Sequence, residues 1–333
     1  MPERSTVPPI EKLRAMSARR TALLAWYREY GRHDLPWRHT RDPYAILISE
    51  VMLQQTQVDR VRSYWDAWMR RWPTVQALAR ARRGSVIRAW AGLGYNRRAV
   101  YLHQCAQYVT THPWWGELFS YSHELASRSV GNRGFSDAED VEMGALIAGV
   151  RGACAMWRGA VLQKRITKIA RMLEELPGIG PYTSHALLAF AWNLPAPCVD
   201  TNIRRVLAHI IYHRPDIMAM SVPEVMRLAA RVIPPDYGRE WNYALMDYGA
   251  LVFQARHVPN RTKRVVAPFK NSTRYWRGRI VAVLREHRRP LPPAVVRQRL
   301  RVLGECTEDV DALLVALVRD GVLAQHDAGF SLA

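Results

Sequence analysis

Two carboxylate side chains stand in settings that should give them opposite protonation states. Glu50 lies in the apolar run Ala45–Leu53, where burial should raise its pKa and make it an acid near neutral pH. Asp200 stands at a predicted helix start, where backbone N–H groups should keep a carboxylate ionised. A neutral acid and an anion are together what cleavage of an N-glycosidic bond requires, because the first protonates the departing base and the second stabilises positive charge on the sugar.

Each of these carboxylates also has a structural interpretation. Glu50 could be paired with one of the chain's many arginines, and Asp200 could serve only as the cap of the helix that it begins. Neither residue taken alone separates the two interpretations. The combination of an acid and an anion is what favours chemistry.

A glycine-rich turn precedes Asp200 in the stretch Leu176–Thr183. Gly178 and Gly180 flank one apolar residue, so no Cβ blocks the close approach of another molecule. The apolar run Ala186–Ala191 then predicts a helix whose first backbone N–H groups could hold an anion. The turn therefore predicts a grip on a DNA phosphate.

The charge of the chain also points to a polyanionic partner. The 48 basic and 29 acidic residues of this 333-residue chain give a net charge of +19. Residues 113–165 carry equal numbers of acidic and basic side chains, so the whole excess lies outside them. A composition of 49% hydrophobic residues predicts a globular chain with a full core.

The cysteines and the apolar runs predict a location in the cytoplasm, and a DNA partner would place the protein at the nucleoid. Cys105, Cys154, Cys198 and Cys306 are too far apart to predict a zinc or cluster site, and they suit a reducing compartment. Residues 1–20 lack an apolar signal core, and the best apolar run is too short to span a bilayer. No membrane partner is expected.

Helical periodicity predominates and strand signals are scarce, which predicts a mostly α fold. The predicted helices are Thr21–Tyr30, Tyr44–Val58, Val61–Arg71, Thr74–Arg82, Val86–Trp90, Arg97–Tyr108, Arg165–Glu175, Trp276–His287, Pro293–Leu300 and Glu308–Asp320, with a terminal β-hairpin through Gly329.

Composition divides the chain into two predicted domains. Residues 1–267 form the larger one, which is interrupted by a partly irregular insert at 113–165. Residues 268–333 form a small winged-helix-like domain, and a basic stretch without acids runs through 256–274. The modest charge of the small domain leaves DNA contact, protein contact and a packing role all open.

Four motifs occur in the order seen in helix-hairpin-helix (HhH-GPD) DNA glycosylases. They are the string Ser49–Val58, the turn Gly92–Tyr95, the stretch Leu176–Thr183 and the tetrapeptide Val199–Asn202. The chain resembles the branch of this superfamily that removes adenine opposite 8-oxoguanine. The resemblance covers roughly residues 20–112 and 166–255 and implies a two-lobed helical fold with a cleft between its lobes.

The resemblance implies a role for each residue around the two carboxylates. Glu50 resembles the acid that protonates adenine at N7, and Asp200 the carboxylate that supports the oxocarbenium-like sugar. Tyr182 and Asn202 resemble their hydrogen-bonding partners. Bifunctional relatives carry a lysine nucleophile at the position of Tyr182, so strand cleavage through a Schiff base is not expected.

A second set of residues resembles the DNA contacts of the family. Gln55, Thr56, Leu93 and Tyr95 resemble residues that wedge into the duplex and touch the oxidised guanine while adenine is flipped out. Gly178 and Gly180 match the hairpin that holds the phosphate. The alternatives are a core aromatic for Tyr95 and solvated helix surface for Gln55.

The chain departs from the family pattern in three places. Relatives usually follow the segment that matches Met246–Ala250 with four cysteines that ligate an iron–sulfur cluster, but no cysteine lies between Cys198 and Cys306. We therefore expect no cofactor, and the basic stretch 256–274 could replace the phosphate contacts of the cluster region. Many relatives also end in a domain that recognises 8-oxoguanine, and the insert has no recognised counterpart.

The resemblance implies a monofunctional glycosylase that removes adenine mispaired with 8-oxoguanine or guanine from double-stranded DNA and acts as a monomer. A thymine or uracil mismatch glycosylase of the same superfamily is the nearest alternative, because such enzymes can also carry Tyr at position 182 and Asp at position 200. A catalytically silent DNA-binding relative is the second alternative. Retention of Glu50, Asp200, Tyr182 and Asn202 together argues against it.

Overall fold

The computed structural model describes part of the chain, in two compact units. The first unit is drawn from Met1–Glu50 and Trp114–Asn260, and the second from Val51–Pro113 and Arg261–Ala333. Most of the predicted insert 113–165 and of the basic stretch 256–274 falls outside the described residues. The described residues are 10–112, 160–234, 236–253, 269–270, 272–304, 306 and 308–333.

The described residues are mostly helical, and the predicted fold class is confirmed. The α-helices are α1 (Met16–Tyr30), α2 (Pro43–Leu53), α3 (Val58–Arg71), α4 (Val75–Ala79), α5 (Arg83–Ala89), α6 (Arg97–Thr111), α7 (Ala160–Glu174), α8 (Pro181–Phe190), α9 (Thr201–Val206), α10 (Val222–Val232), α11 (Gly238–Asp247), α12 (Thr273–Arg285), α13 (Pro293–Arg301) and α14 (Val310–Arg319). Short 3-10 turns at Ile10–Lys12, Pro36–Arg38 and Pro215–Met218, π-helical turns at Leu207–Ile211 and Tyr248–Phe253, and strands β1 (Leu323–His326) and β2 (Gly329–Leu332) complete the elements.

Aromatic side chains form much of the core of the first unit, where α1 packs on α11. The ring of Trp26 meets Tyr248 edge-on at 5.0 Å, and Phe190 stacks on Tyr243 at 4.2 Å. Pairs with these geometries add a directional preference to the burial of the rings. They connect α1, α8 and α11.

Helices α7 and α8 pack on each other across the turn Leu176–Gly180, which we call the glycine turn. Leu176 and Ile179 are buried, and the N–H of Ile179 donates to the carbonyl of Leu176 at 3.1 Å. Pro181 opens α8, where its missing N–H costs nothing because the first turn of a helix has no internal acceptor for it.

In the second unit, tryptophans hold α3 to the short helices that follow it. Trp68 meets Trp72 at 4.7 Å and Trp90 at 5.5 Å, both with the rings tilted edge-to-face. Trp90 also donates its indole N–H to the carbonyl of Gly94 at 2.9 Å. This bond fixes the turn after α5 against the core.

The segment 268–333 contains α12, α13, α14 and the antiparallel pair β1–β2, in the order predicted for a winged helix. Leu323 pairs with Leu332 in the β-hairpin. The hydrophobic core of this segment includes Ile87 of α5 and Val100 of α6, and Arg88 donates to the carbonyl of His287 at 3.2 Å. The contacts therefore join this segment to α5 and α6, whereas the predicted division after residue 267 separated them.

The predicted helix Tyr44–Val58 is wrong beyond Leu53, where α2 ends. Gln55 has a φ of 56°, a left-handed value that no helix accommodates. The carbonyl of Gln54 accepts a hydrogen bond from Arg98 at 2.6 Å in place of a helical N–H. Periodicity alone could not show this break, because glutamine is a good helix former. The donor that takes the place of the next helical N–H is Arg98, which lies far along the chain.

Candidate active site

Glu50 projects from a helix that is buried along most of its length. Asp42 precedes α2, and its carboxylate accepts a hydrogen bond from the N–H of Tyr44 at 2.9 Å. Every residue from Pro43 to Met52 is buried. The side chain of Glu50 is 7% exposed, as the apolar sequence around it predicts.

Burial raises the pKa of Glu50 to about 7. The positive charge of Arg38 and a hydrogen bond from the hydroxyl of Tyr182 oppose this rise, and the negative charge of Asp200 adds to it. A carboxyl group with this pKa exists in both protonation states near neutral pH, so it can donate a proton there.

Tyr182 lies in the first turn of α8, directly after the glycine turn. Burial raises the pKa of its phenol well above the usual range, and the charge of Glu50 is the next contribution. The hydroxyl therefore stays protonated and donates to the carboxylate of Glu50. The glycine turn and α2 together place these two groups.

The glycine turn leaves free space at its apex. Gly178 has a φ of 81°, where an L side chain would be strained. A Cβ placed on Gly180 would meet no atom within 4 Å. The backbone at the start of α8 is therefore open to another molecule, while the predicted phosphate contact remains to be tested.

Asp200 caps α9, as its position in the sequence suggests. Its Oδ1 accepts a hydrogen bond from the N–H of Ile203 at 2.6 Å. Burial raises the pKa of Asp200, whereas the backbone N–H groups of Ile203 and Asn202 and the charge of Arg205 lower it. The sequence pattern indicates the N–H groups, but it does not show the larger effect of burial.

Asn202 follows Asp200 in the first turn of α9 and is half-buried. The backbone of the π-helical turn after α11 comes close to it, because a Cβ on Gly249 would lie 3.0 Å from the Cβ of Asn202. Its backbone N–H contributes to the cap of Asp200. The predicted partnership of its side chain with the substrate remains a prediction.

The structure adds two residues that sequence patterns did not single out. Cys198 is fully buried, and burial raises the pKa of its thiol well above the usual range, with further contributions from the charges of Glu50 and Asp200. Tyr243, on α11, is nearly buried, and the charge of Glu50 adds to the rise that burial causes in its pKa. Neither occurs in a motif with chemical spacing, so no sequence signal could have found them.

A buried ion pair between Arg38 and Asp247 lies next to Tyr243 and interacts electrostatically with Glu50. Arg38 donates to both carboxylate oxygens of Asp247, at 2.6 and 2.8 Å, and Asp247 is fully buried. Arg32 adds hydrogen bonds from its backbone and side chain, both 2.8 Å. The guanidinium of Arg38 also lies 4.2 Å from the ring centre of Tyr243. Arg38 therefore connects α11 to the chain before α2.

The predicted base contacts belong to the second unit, where one arginine connects the two segments that carry them. The guanidinium of Arg98 donates to the carbonyl of Gln54 at 2.6 Å and to the carbonyl of Leu93 at 2.9 Å. It also reaches the hydroxyl of Thr56 at 3.4 Å. Arg98 therefore fixes the turn after α2 against the turn after α5.

Two of the predicted contact residues have backbone angles that side chains rarely adopt. Gln55 and Tyr95 have φ values of 56° and 49°. Left-handed backbone at residues with bulky side chains costs free energy and is concentrated at functional sites. Tyr95 is 40% exposed, so it is not a core aromatic, whereas Leu93 is 5% exposed. The structure therefore offers Tyr95 to a partner more openly than Leu93.

Among the residues that the structure describes, no group of three or more His, Cys, Asp or Glu side chains is placed to hold a metal ion. No helix within them has the length and apolar character needed to cross a bilayer.

A buried acid, a helix-capping aspartate and a glycine turn between two packed helices define a DNA repair protein of one particular class. The family model described as "HhH-GPD superfamily base excision DNA repair protein" matches residues 48–235, and the chain belongs to this superfamily. The predicted family is thereby confirmed.

Two curated relatives and one solved structure extend this result. The chain is 32% identical to the adenine DNA glycosylase of Mycolicibacterium smegmatis, over 96% of this chain and 97% of that protein. It is 36% identical to the adenine DNA glycosylase of Mycobacterium tuberculosis, over 71% of this chain and 62% of that protein. A thermostable thymine-DNA glycosylase of known structure shares the fold, with a TM-score of 0.50, 23% identity, and coverage of 74% of this chain and 89% of that chain.

Proposed function

We propose that the protein is a monofunctional DNA glycosylase that removes adenine mispaired with 8-oxoguanine or guanine in base excision repair. The observation that carries the proposal is the buried carboxyl group of Glu50, which has a pKa of about 7. This group accepts a hydrogen bond from the hydroxyl of Tyr182 and interacts electrostatically with the carboxylate of Asp200. The two relatives named above, both adenine DNA glycosylases, support adenine as the base.

In the proposed reaction, Glu50 donates its proton to N7 of adenine. The electrons of the bond between C1′ and N9 pass to the base, which leaves as neutral adenine, and positive charge develops on the sugar. The carboxylate of Asp200 stabilises this charge. A water molecule then adds to C1′ and gives its proton to the carboxylate of Glu50, which restores the acid. Tyr182 orients Glu50 through a hydrogen bond. Asn202 is a second hydrogen-bonding partner around the pair of carboxyl groups.

The electrostatics of the two carboxyl groups suit this division of roles. Burial raises the pKa of both groups, that of Glu50 to about 7, but Asp200 also receives N–H donors and the charge of Arg205, which favour its anion. The chain has tyrosine, not lysine, at position 182, so no amine is available there for a Schiff base.

The remaining parts of the proposal concern DNA. Gly178 and Gly180 hold a phosphate, and the residues that contact bases near the lesion are Gln55, Thr56, Leu93 and Tyr95. The partner is double-stranded DNA with a mismatched or oxidised base pair, bound by a monomer in the nucleoid of the cytoplasm. No iron–sulfur cluster takes part, because no cysteine between Cys198 and Cys306 could ligate one.

A base-release assay on four duplexes tests the proposal. We expect the wild-type protein to release adenine from A·8-oxoG and A·G, and to leave T·G and U·G intact. Glu50→Gln should lower the single-turnover rate by at least about 100-fold, because loss of a general acid typically costs 10²–10⁴-fold. Its affinity for the A·8-oxoG duplex should change by less than about threefold.

Asp42→Asn is the matched control, because burial also raises the pKa of Asp42, to about 6, at the start of the same helix. It should release adenine at the wild-type rate, since the amide oxygen can still accept from Tyr44. Release of thymine or uracil instead of adenine would assign the protein to the pyrimidine branch. Binding without release of any base would make it a silent relative, and activity in Glu50→Gln would show that another group is the acid.

A further inference from the structure

The chain that leads into Asp200 has no regular structure of its own. Residues 193–200 lie between α8 and α9 and belong to no helix or strand. Ala196 and Cys198 of this stretch are nevertheless fully buried. Buried backbone N–H and C=O groups need partners, and a stretch outside helices and sheets must take them from elsewhere in the molecule. The position of the Asp200 carboxylate therefore depends on what holds the residues before it.

Asn242 of α11 supplies such partners. Its Oδ1 accepts a hydrogen bond from the N–H of Cys198 at 2.9 Å, and its Nδ2 donates to the carbonyl of Ala196 at 3.0 Å. Nδ2 also donates to the carbonyl of Gly238, one turn back along α11, at 2.6 Å. The side chain is 1% exposed, and its acceptor and both of its donors face backbone groups. A Cβ on Gly238 would clash with the carbonyl of Leu194, so α11 lies directly against the stretch.

Helix α11 also carries a residue beside the other carboxyl group. Tyr243 follows Asn242, and the charge of Glu50 adds to the rise that burial causes in the pKa of Tyr243. The guanidinium of Arg38 lies 4.2 Å from the ring centre of Tyr243, and its charge opposes the rise that burial causes in the pKa of Glu50. One helix therefore contributes to the surroundings of Glu50 and also holds the chain before Asp200.

We propose that Asn242 is a positioning residue, which fixes the carboxylate of Asp200 relative to Glu50 through its hydrogen bonds to the backbone of Ala196 and Cys198. Asn242 touches no substrate atom and acts only through Asp200. The inference rests on the proposed function, in which Asp200 is the anion that stabilises positive charge on the sugar. A shift of about 1 Å in a group of this kind can lower a rate by about 100-fold.

The test uses two variants of Asn242 in the full chain and one control. Asn242→Ala removes the three hydrogen bonds and leaves a void, whereas Asn242→Leu removes them and keeps the volume of the side chain. Asn193→Gly is the matched control, because Asn193 also binds backbone at the start of α11 but farther from Asp200. It accepts from the N–H of Arg239 at 2.9 Å and donates to the carbonyl of Asp236 at 2.7 Å, and its φ of 55° suits glycine.

Single-turnover release of adenine from an A·G duplex separates positioning from folding. Both Asn242 variants should lower the rate constant by about 30-fold or more, whereas the control should stay within about twofold of the wild type. Duplex affinity, measured for each variant together with Glu50→Gln, should change by less than about threefold. A purely structural role would lower the amplitude of release, through a smaller folded fraction, and would leave the rate constant unchanged.

A double-mutant cycle with Asp200→Asn tests whether Asn242 acts through Asp200. Asp200→Asn alone should lower the rate constant by about 100-fold or more, because it removes the negative charge that faces the sugar. In that background Asn242→Ala should lower the rate constant by less than about threefold further, because residues that act as one unit have non-additive effects.

Additive losses in this cycle, or a wild-type rate constant in both Asn242 variants, would overturn the proposal. Failure of both variants to fold while the control folds would also overturn it, because Asn242 would then serve the fold and not Asp200. The proposed function would fail in a different way. The wild-type protein would release no adenine, or Asp200→Asn would release it at the wild-type rate.

Discussion

Arg38 in the first unit and Arg98 in the second are both buried, but their partners differ. Arg38 binds both oxygens of the carboxylate of Asp247, whereas Arg98 binds backbone carbonyls of two separate turns. Burial lowers the pKa of Arg98 to about 10. Burial also acts to lower the pKa of Arg38, but the hydrogen bonds and charge of Asp247 outweigh it and raise that pKa.

The difference shows two ways to use a buried cation. The carboxylate of Asp247 compensates the charge of Arg38 and holds α11 near the chain before α2, and the positive charge of Arg38 also lowers the pKa of Glu50. Carbonyl partners leave the charge uncompensated, but one guanidinium can then fix several backbone segments at once. The first arrangement stabilises the surroundings of Glu50, the proposed acid, and the second positions the two turns that carry the predicted DNA contacts.

The largest effect should come from breaking the ion pair of the first unit. Asp247→Ala leaves Arg38 buried without a counter-charge, so we expect the free energy of unfolding to fall by about 3–5 kcal/mol. Urea unfolding followed by far-UV circular dichroism measures the change.

A double variant makes this test specific to the charge. Arg38→Met with Asp247→Leu removes both buried charges and should recover at least about half of the lost stability, because Arg32, the second partner of Asp247, is partly exposed and can be solvated. A double variant as unstable as Asp247→Ala would mean that packing, and not the ion pair, holds this region together.

A smaller effect is expected for the arginine that binds only carbonyls. Arg98→Met keeps much of the buried stem but leaves the carbonyls of Gln54 and Leu93 without donors. We expect a loss of about 2–3 kcal/mol in the free energy of unfolding, and at least a tenfold weaker binding of the A·G duplex because both turns lose their support. Arg70→Met, at an exposed position of α3, is the control for loss of charge. A change in stability without a change in binding would contradict the positioning role.

The smallest effect is expected from Glu50, an acid that, like Arg98, is buried without a full counter-charge. In both groups burial shifts the pKa toward the neutral form. The pKa of Glu50 rises from 4.5 to about 7, so the folded state holds a proton that the unfolded state has lost between these values. The free energy of unfolding should therefore decrease as pH rises through this window. Glu50→Gln removes the titration and should be more stable than the wild type by roughly 1–3 kcal/mol at pH 8, and little changed at pH 4.5.

The same titration predicts the pH dependence of base release. Because the protonated form of Glu50 is the acid, the single-turnover rate should fall about tenfold per pH unit above about 7. Unfolding curves at pH 4.5 and 8 and rates from pH 5 to 9 provide the two measurements. A rate independent of pH in the upper half of this range would separate catalysis from the titration of Glu50.

Local features of the fold and site were readable from the sequence. The apolar run around Glu50 predicts its burial, and the residue type of Asp200 before a helical pattern predicts its cap, which the bond to Ile203 realises. The glycine turn was visible because the left-handed φ of Gly178 favours this residue type. Each of these depends on a few consecutive residues.

What the sequence did not reveal depends on contacts between distant residues. The break after Leu53 is maintained by Arg98, and the support of the site by Arg38 needs Asp247, which lies on another helix. The net direction of the pKa shift of Asp200 likewise depends on burial by segments that no local pattern identifies. The shared core of α5, α6 and the segment 268–333 is of the same kind.

The buried thiols allow each unit to report on its own motions. Cys198 in the first unit and Cys105 in the second are both buried and protonated, so alkylating reagents can reach them only when the surrounding structure opens. Their labelling rates would measure the frequency of opening beside Glu50 and within α6 independently, in the native chain and without an introduced probe.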